Sequence, residues 1–278
     1  MEGLNLGSDG ISKLRFNREY TEYWKTSVSN SIDGTQIAGT KEVEFYLQMM
    51  KIQSGDKILD LGCSYGRFLE KLITKTSIVY GLEPDNFAIS EARKLNYIEV
   101  VEGIAEETPF QDSYFDQVFA WAVFDIVNLV KTLVEMNRIL KYAGTILFTG
   151  KNSQYNFNDS LAFKAEKNAY LKNFPNNFTK LPILVHNLHK FGFEVNKIFI
   201  FRNRGDFGEN IHFEITEDIS IPDKFYEYLL ILKKTNSVNC DPQIENIFTN
   251  EFSDTAIELA NKANFSNVHD FFVHLGIS

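Results

Sequence analysis

The sequence predicts an α/β protein built on a doubly wound, seven-stranded sheet, mostly parallel with an antiparallel last strand. Two observations support this prediction. Short β-branched runs alternate with helical patterns through the middle of the 278-residue chain, which is typical of βαβ units around a parallel sheet. With 44% hydrophobic and 23% charged residues, the chain also has the apolar material for a large core. Helical extensions at both ends complete the predicted architecture.

The predicted strands are short runs rich in Val, Ile, Leu or Phe, bounded by turn residues. Five fall in the first part of the pattern and two in the second. In chain order they are Lys57–Leu61, Ile78–Leu82, Ile98–Val101, Asp116–Ala120, Thr145–Thr149, Val195–Phe201 and Phe225–Leu232.

The predicted helices are recognised by apolar residues at helical spacing and by their end signals. Asp85 is a suitable N-cap for the helix predicted over Pro84–Leu95. Gly192 is a natural C-cap for the helix predicted over Leu181–Phe191. A polar segment lies between the fifth predicted strand and the helix that begins at Leu181. The central helices are predicted at Tyr65–Thr74, Pro84–Leu95, Leu129–Leu140 and Leu181–Phe191, and the flanking ones at Lys41–Met50, Asp254–Ala263 and His269–Leu275.

These elements divide the chain into three parts. We predict an N-terminal helical cap over residues 1–50, the sheet-bearing domain over 51–235 and a C-terminal helical extension over 236–278. No internal repeat or low-complexity tract is visible.

Charge and composition exclude several classes of function. The sum of 28 basic and 37 acidic residues gives a net charge of −9, which argues against broad contact with nucleic acid or an anionic membrane. The N-terminus lacks the pattern of a secretory signal, and no apolar run reaches 18 residues. Cys63 and Cys240 alone form neither a disulfide framework nor a metal site. We therefore expect a soluble cytoplasmic protein.

The most informative segment follows the first predicted strand and reads Leu59-Asp-Leu-Gly-Cys-Ser-Tyr-Gly-Arg-Phe68. An acidic residue lies near the end of a buried strand, and a glycine-bearing turn leads directly into a helix. Gly62 lets the backbone approach a ligand closely, and the helix N-terminus offers unpaired N–H groups. The spacing from Gly62 to Gly66, with Ser64 between them, departs from the G-x-G-x-x-G of dinucleotide sites.

This segment resembles the first motif of class I S-adenosylmethionine-dependent methyltransferases, in which an acidic residue precedes G-x-G-x-G. The resemblance implies a Rossmann-like fold and S-adenosyl-L-methionine as cofactor, with S-adenosyl-L-homocysteine as product. It also implies that the glycine turn passes under the methionine part, and that Asp60 helps to fix the loop and the amino group. Ser64 stands where the family usually has its middle glycine.

Three further segments match the family in the expected order. Glu83 closes the second strand 23 residues after Asp60 and would accept hydrogen bonds from both ribose hydroxyls. Residues 102–110, followed by Ser113–Asp116, resemble the segment whose backbone holds the adenine edge. Residues 135–144 resemble the E-x-x-R-x-L-K-P-G-G hairpin, with Tyr142-Ala143 in place of Pro-Gly. The predicted cofactor-binding residues are Asp60, Gly62, Cys63, Ser64, Gly66, Glu83, Pro84, Ile104, Ala105, Glu106 and Trp121.

Ile104 departs from the family pattern, which commonly has an aspartate that accepts the adenine amino group. We therefore expect the base to be held by apolar contact from Ile104 and by the backbone around Ala105, with Glu106 nearby. Tyr20, Tyr23 and Trp24 precede the sheet, and they either cover the cofactor, as N-terminal helices often do in this family, or pack as ordinary core.

Residues for the methyl acceptor are expected in the loops after strands four, five and six, since ligands of open α/β sheets bind at the carboxyl ends of the strands. Asp125 is a candidate general base, although it could equally cap the next helix. Lys151 and Tyr155 are predicted to bind substrate. Arg202 and Arg204 either hold an anionic acceptor or belong to a solvated loop, and His212 is a second candidate base.

The resemblance implies an enzyme that methylates a small molecule, and we expect a hydroxyl oxygen on a sugar-like or phosphorylated metabolite. Two alternatives remain: a protein or RNA methyltransferase on the same fold, and a non-catalytic S-adenosylmethionine-binding module. The expected partner is the acceptor itself, with no nucleic acid and no membrane, in a monomer or homodimer. No metal site is predicted, although His186 and His189 lie three residues apart on a predicted helix.

Overall fold

The computed structural model describes residues 42–172, 174, 176–207, 221–238, 248–249 and 252–276. Its strands are β1 (Lys57–Leu61), β2 (Ile78–Glu83), β3 (Glu99–Glu102), β4 (Phe115–Ala120), β5 (Leu140–Lys151), β6 (Phe178–Thr179), β7 (Phe193–Phe201), β8 (Glu227–Lys234) and β9 (Phe248–Thr249). Its helices are α1 (Val43–Met49), α2 (Leu69–Ile73), α3 (Asn86–Ala92), α4 (Leu129–Ile139), α5 (Ser160–Leu171), α6 (Leu181–Asn187), α7 (Asp254–Lys262) and α8 (Val268–Gly276).

Seven strands form one twisted sheet in the order β3-β2-β1-β4-β5-β8-β7. The first five pair in parallel, whereas β8 runs antiparallel between β5 and β7. This arrangement confirms the predicted fold class, including the antiparallel last strand. From β1 the chain order runs outward in both directions, through β2 and β3 on one side and through β4 and β5 on the other. Open α/β sheets form their ligand crevice at such a reversal, here between β1 and β4.

Two apolar layers cover the sheet. On one face, α1 and α2 pack over a core that includes Phe119 and Trp121. On the other, α4 and α6 cover a core that includes Phe148 and Tyr228. Residues alternate between these layers along the central strands, as the two-residue period of a strand requires.

The helix after β1 is shorter than the predicted Tyr65–Thr74. It begins at Leu69, because Ser64 and Gly66 both have positive φ angles, 51° and 88°, and so keep residues 62–68 in a turn. Two end signals are confirmed. The Asp85 carboxylate accepts a hydrogen bond from the N–H of Ala88 as N-cap of α3, and Gly192 adopts a left-handed φ of 72° after a 3₁₀ turn.

Helix α5 and the two-stranded β6-β9 sheet lie outside the predicted pattern. Asp159 caps α5 by accepting a hydrogen bond from the N–H of Ala162, but only Ala162 and Glu166 are buried along the helix. Apolar periodicity over this segment is therefore too weak to reveal the helix. In the part of the chain that the structure describes, no helix is long and apolar enough to cross a bilayer.

A buried carboxylate joins the C-terminal helices to the sheet domain. Glu166 on α5 accepts hydrogen bonds from the Tyr155 hydroxyl at 2.5 Å and from the Ser253 N–H and hydroxyl at 2.7 and 2.8 Å. Ser253 is also the N-cap of α7. Burial raises the pKa of Glu166, and these donors oppose that rise. The predicted C-terminal helices thus pack on α5 around a small aromatic core.

Removing this carboxylate should loosen the C-terminal helices. We expect Glu166→Ala to lower the free energy of unfolding by about 2–4 kcal/mol, because it leaves three buried donors without their acceptor. Urea unfolding followed by circular dichroism measures the change. Glu258→Ala, which removes an exposed carboxylate from α7, is the control and should leave the unfolding curve unchanged. Equal effects of the two substitutions would contradict the anchoring role.

Candidate active site at the carboxyl ends of the strands

A cleft of about 730 Å³ opens at the carboxyl ends of β1, β2 and β4, where the strand order reverses. Its wall is mainly apolar with a few polar groups, which is typical of small-molecule sites. The lining residues are Leu61, Gly62, Cys63, Ser64, Arg67, Phe68, Leu82, Glu83, Pro84, Gly103, Ile104, Ala105, Glu106, Trp121, Ala122, Val123, Ile126 and Val127. Nine of the eleven predicted cofactor-binding residues are among them.

The floor of the cleft is the turn after β1. The N–H groups of Gly62 and Cys63 both donate to the carbonyl of Leu82, so the turn is fixed to the end of β2. Gly62 has a φ of 68°, and a Cβ at this position would lie 2.6 Å from a methyl carbon of Val123. A residue without a side chain is therefore required where the turn meets the opposite wall. Gly66 shapes the same turn but does not line the cleft.

Glu83 links the two loops that border the cleft. One carboxylate oxygen accepts a hydrogen bond from the N–H of Ser64, and the other accepts from the N–H of Asp85, each at 3.0 Å. A carboxylate offers about four acceptor positions, so each oxygen keeps one for a ligand. Burial raises the pKa of Glu83 to about 7, against the lowering effect of the two N–H donors.

A second buried carboxylate lies beneath the turn. Asp60 accepts a hydrogen bond from the Tyr97 hydroxyl at 2.6 Å, and it does not line the cleft. Burial raises the pKa of Asp60 to about 7, while Tyr97 and Arg67 lower it. Burial also raises the pKa of the neighbouring Cys63 thiol, so this residue packs as an uncharged side chain. The hydrogen bond given for the Asp60 carboxylate is thus with Tyr97, and its predicted contact with the cofactor stays a prediction.

Ser64 provides the clearest sign that the cleft is shaped for a polar ligand. Its hydroxyl is buried and, within the described residues, has no hydrogen-bond partner. Together with Glu83 it gives a mainly apolar cleft one unpaired hydroxyl and one carboxylate with free acceptor positions. S-Adenosyl-L-methionine carries ribose hydroxyls, an amino acid group and a flat base, so the residues present fit this cofactor.

The opposite wall is formed by the loops after β3 and β4. Ile104 and Ala105 line it, as expected for an apolar contact to the base. Glu106 accepts a hydrogen bond from the N–H of Asn128 at 2.8 Å, so its carboxylate ties this loop to the N-terminus of α4. Trp121 packs against Phe68 with ring centroids 5.6 Å apart.

Asp125 belongs to the loop 121–127, of which five residues line the cleft, but its own side chain points to a neighbouring polar cluster. One oxygen pairs with the Lys151 ammonium at 2.5 Å, and that ammonium also donates to the Asn176 side chain at 2.5 Å. Desolvation alone would lower the pKa of Lys151, but Asp125 and Glu227 raise it above its ordinary value. Lys151 is therefore a cation that holds Asp125.

The structure does not bring every predicted acceptor residue to the cleft. Tyr155 is fully buried with its hydroxyl on Glu166. Arg202 lines a separate pocket of about 540 Å³ together with Lys224. The backbone N–H of Arg204 donates to Asp159 at 2.7 Å. His212, Cys240, Tyr20, Tyr23 and Trp24 lie outside the described residues.

Several lining residues were not predicted from the sequence. Arg67 and Phe68 follow the glycine motif directly, and Val123 and Val127 lie on either side of Asp125. Their proximity to the motifs was visible in the sequence. Only the structure shows that the loop after β4 folds back over the glycine turn, because that depends on contacts between distant segments.

The cleft belongs to a recognised domain. Residues 59–148 match the family described as "Methyltransferase domain". This match confirms the resemblance of residues 59–148, the region that carries the sequence motifs, to methyltransferases that use S-adenosyl-L-methionine.

Curated relatives cover the same region. An uncharacterized protein of Methanocaldococcus jannaschii is 32% identical over 111 residues, 40% of this chain and 43% of that protein. A demethylmenaquinone methyltransferase of Oceanobacillus iheyensis is 28% identical over 111 residues, 36% of this chain and 47% of that protein. The chain thus spans less than half the length of these relatives.

A crystal structure from Thermotoga maritima shares the fold. It is described as a SAM-dependent methyltransferase, possible histamine N-methyltransferase, and aligns with a TM-score of 0.57 at 18% identity. The alignment covers 78% of this chain and 98% of that one. At this identity the likeness shows the fold alone.

Binding of S-adenosyl-L-methionine should strengthen as the pH rises from 6 to 7.5. Glu83 is the expected acceptor for the ribose hydroxyls, and its ionised form becomes dominant as the pH passes the pKa of about 7. A single group with this pKa predicts a roughly eightfold fall in Kd over the interval. Isothermal titration calorimetry at several pH values measures it.

Substitution of Glu83 separates its contribution to the pH dependence of binding from that of Asp60, whose pKa is also raised to about 7. Glu83→Gln should weaken binding and flatten the pH dependence. Glu102→Gln is the matched control, because Glu102 pairs with Glu83 in register on β3 but is exposed. An unchanged pH dependence in Glu83→Gln would contradict the role assigned to this carboxylate.

Ser64 should affect stability and binding in opposite directions. Ser64→Gly removes the backbone strain of a positive φ of 51°, so we expect the free energy of unfolding to rise by about 1 kcal/mol. It also removes the hydroxyl, so the Kd for S-adenosyl-L-methionine should rise roughly three- to tenfold. Ser64→Ala should weaken binding similarly, and it should raise the free energy of unfolding by less than Ser64→Gly does, because the positive φ remains. Wild-type affinity in both variants would rule out Ser64 as a ligand contact.

Proposed function

We propose that the chain is a cytoplasmic S-adenosylmethionine-dependent methyltransferase that transfers a methyl group to a hydroxyl oxygen of a small molecule. The observation that carries this proposal is the cleft whose floor is the glycine turn and whose lining residues include Glu83 and Ser64, the second with an unpaired hydroxyl. When bound, S-adenosyl-L-methionine supplies a methyl group on a positively charged sulfur. The protein must then place the acceptor oxygen in line with that carbon.

Asp125 is the proposed general base. Its loop forms one wall of the cleft, and one of its two oxygens is engaged by Lys151. The other oxygen is buried and, within the described residues, accepts no hydrogen bond. It can therefore receive the proton that the acceptor hydroxyl loses as its oxygen takes the methyl group. General base catalysis of this kind typically contributes about 10²- to 10⁴-fold.

An anionic part of the acceptor would reach the pocket that Arg202 and Lys224 line. Arg202 follows β7, which is three strand intervals from β4, or about 14 Å at roughly 4.8 Å per interval. A single sugar ring is shorter than this distance, so an acceptor that reaches both places must carry a phosphoryl group or another extended substituent. This distance and the two cations support a phosphorylated acceptor rather than a very small one.

Two other functions are less well supported by the charge and the site of this chain. A protein or RNA methyltransferase would need a broad basic surface, and a net charge of −9 does not favour one. A non-catalytic binding module would retain the cleft but not need Asp125. The buried, half-paired Asp125 beside the cleft favours the enzyme, because such an arrangement costs stability.

Transfer of tritium from S-adenosyl-[methyl-³H]methionine to a panel of sugars, sugar phosphates, amino sugars and sugar acids tests the proposal. We expect transfer to a hydroxyl compound, and a 10²- to 10⁴-fold lower kcat in Asp125→Asn with cofactor affinity unchanged within about twofold. Arg202→Ala and Lys224→Ala should raise the KM of a phosphorylated acceptor. If both substitutions left the KM of the phosphorylated acceptor unchanged, the proposed phosphate pocket would be wrong. Cofactor binding without transfer to any acceptor would favour the non-catalytic module.

A further inference from the structure

A buried polar cluster lies beside the cofactor cleft, where β4 and β5 end and β8 begins. Lys151 ends β5, and Glu227 begins β8 as its partner in register. Tyr226 directly precedes Glu227, and Asp125 comes from the loop after β4. Lys151 interacts electrostatically with Asp125, Tyr226 and Glu227, so these groups surround one ammonium. Its side chain is 20% exposed, which marks the side on which the cluster meets solvent.

Two polar atoms of this cluster are left over after its internal contacts are formed. The second carboxylate oxygen of Asp125, Oδ1, and the hydroxyl of Tyr226 are both buried without a hydrogen-bond partner in the described residues. Native proteins pair nearly all buried polar groups, and leaving one unpaired destabilises the fold. Two such atoms beside one ammonium therefore require an explanation other than packing.

A neighbouring tyrosine shows that the fold is able to satisfy a phenol at this place. The rings of Tyr155 and Tyr226 lie 5.5 Å apart in one aromatic cluster, and both residues are fully buried. The Tyr155 hydroxyl donates to Glu166 at 2.5 Å, whereas the Tyr226 hydroxyl has no such acceptor. The two tyrosines therefore differ in whether a hydrogen-bond acceptor reaches the hydroxyl, and the unpaired hydroxyl is the one near Lys151 and Asp125.

The chemistry of the two unpaired atoms selects a ligand class. Asp125 Oδ1 can only accept a hydrogen bond, and the Tyr226 hydroxyl can donate one. An alcohol or phenol satisfies both at once, since its O–H donates and its oxygen accepts. An ammonium cannot accept from Tyr226, and a carboxylate would meet Asp125 as a like charge.

We propose that Asp125 Oδ1 and the Tyr226 hydroxyl form a two-point subsite for the hydroxyl group of the acceptor. The inference rests on the proposed function, and it adds Tyr226 as a substrate-binding residue that no sequence motif indicated. Lys151 fixes the other oxygen of Asp125, so that only Oδ1 is offered to the ligand. Burial and nearby carboxylates raise the pKa of Tyr226 to about 12 although Lys151 opposes the rise, so the hydroxyl keeps its proton.

A pair of tyrosine substitutions tests the subsite without a known acceptor. Tyr226→Phe removes an unpaired hydroxyl, so the urea midpoint of the full chain should stay the same or rise. Tyr155→Phe removes a paired hydroxyl from the same aromatic cluster, so its midpoint should fall. If Tyr226→Phe lowers the midpoint as much as Tyr155→Phe does, the Tyr226 hydroxyl is a structural group, satisfied by buried water, and the subsite is wrong.

Binding and transfer complete the test. Tyr226→Phe should bind S-adenosyl-L-methionine with wild-type affinity by calorimetry, and should raise the KM of the hydroxyl acceptor found with the tritium panel at least tenfold. Tyr142→Phe, on an exposed tyrosine at the start of β5, is the control. Wild-type KM in Tyr226→Phe would overturn the subsite alone. A wild-type protein that binds no S-adenosyl-L-methionine, or transfers no methyl group, would instead overturn the proposed function.

Discussion

The position of Glu83 is the constraint on which the site depends. Its two oxygens accept the N–H groups of Ser64 and Asp85, and so tie the turn after β1 to the turn after β2. Because β1 and β2 are parallel neighbours, both turns emerge at the same edge of the sheet. One carboxylate thus holds two loops in place and still offers acceptor positions to a ligand. The burial that makes this possible also raises its pKa to about 7.

The same edge of the sheet holds two kinds of buried polar group, which differ in their effect on stability: one kind is hydrogen-bonded within the protein and the other is not. Glu83 is satisfied by backbone donors, whereas Ser64 Oγ, Asp125 Oδ1 and the Tyr226 hydroxyl are buried without partners in the described residues. Unpaired groups of this kind destabilise a fold, and they are expected where a ligand completes them. Their positions follow the cleft floor and the ends of β4 and β8, which supports a cofactor site with an acceptor site beside it.

Most of the fold and the cofactor cleft could be predicted from the sequence, because both follow from local patterns. Strand periodicity indicated all seven strands of the large sheet, and the glycine motif, Glu83 and the loops after strands three and four together identified nine lining residues of the cleft. Helix α5 could not be predicted, since its buried face holds only Ala162 and Glu166. Tyr155 and Tyr226 could not be told apart either, because their roles depend on whether a distant acceptor such as Glu166 reaches the hydroxyl.

The most direct measurement of the central claim is a calorimetric titration of the wild-type protein with S-adenosyl-L-methionine, repeated with NAD. The account predicts one site of micromolar affinity for S-adenosyl-L-methionine, about −8 kcal/mol, and no measurable binding of NAD. The glycine turn departs from the G-x-G-x-x-G spacing that binding of a pyrophosphate requires. Tighter binding of NAD, or no binding of S-adenosyl-L-methionine, would contradict the account.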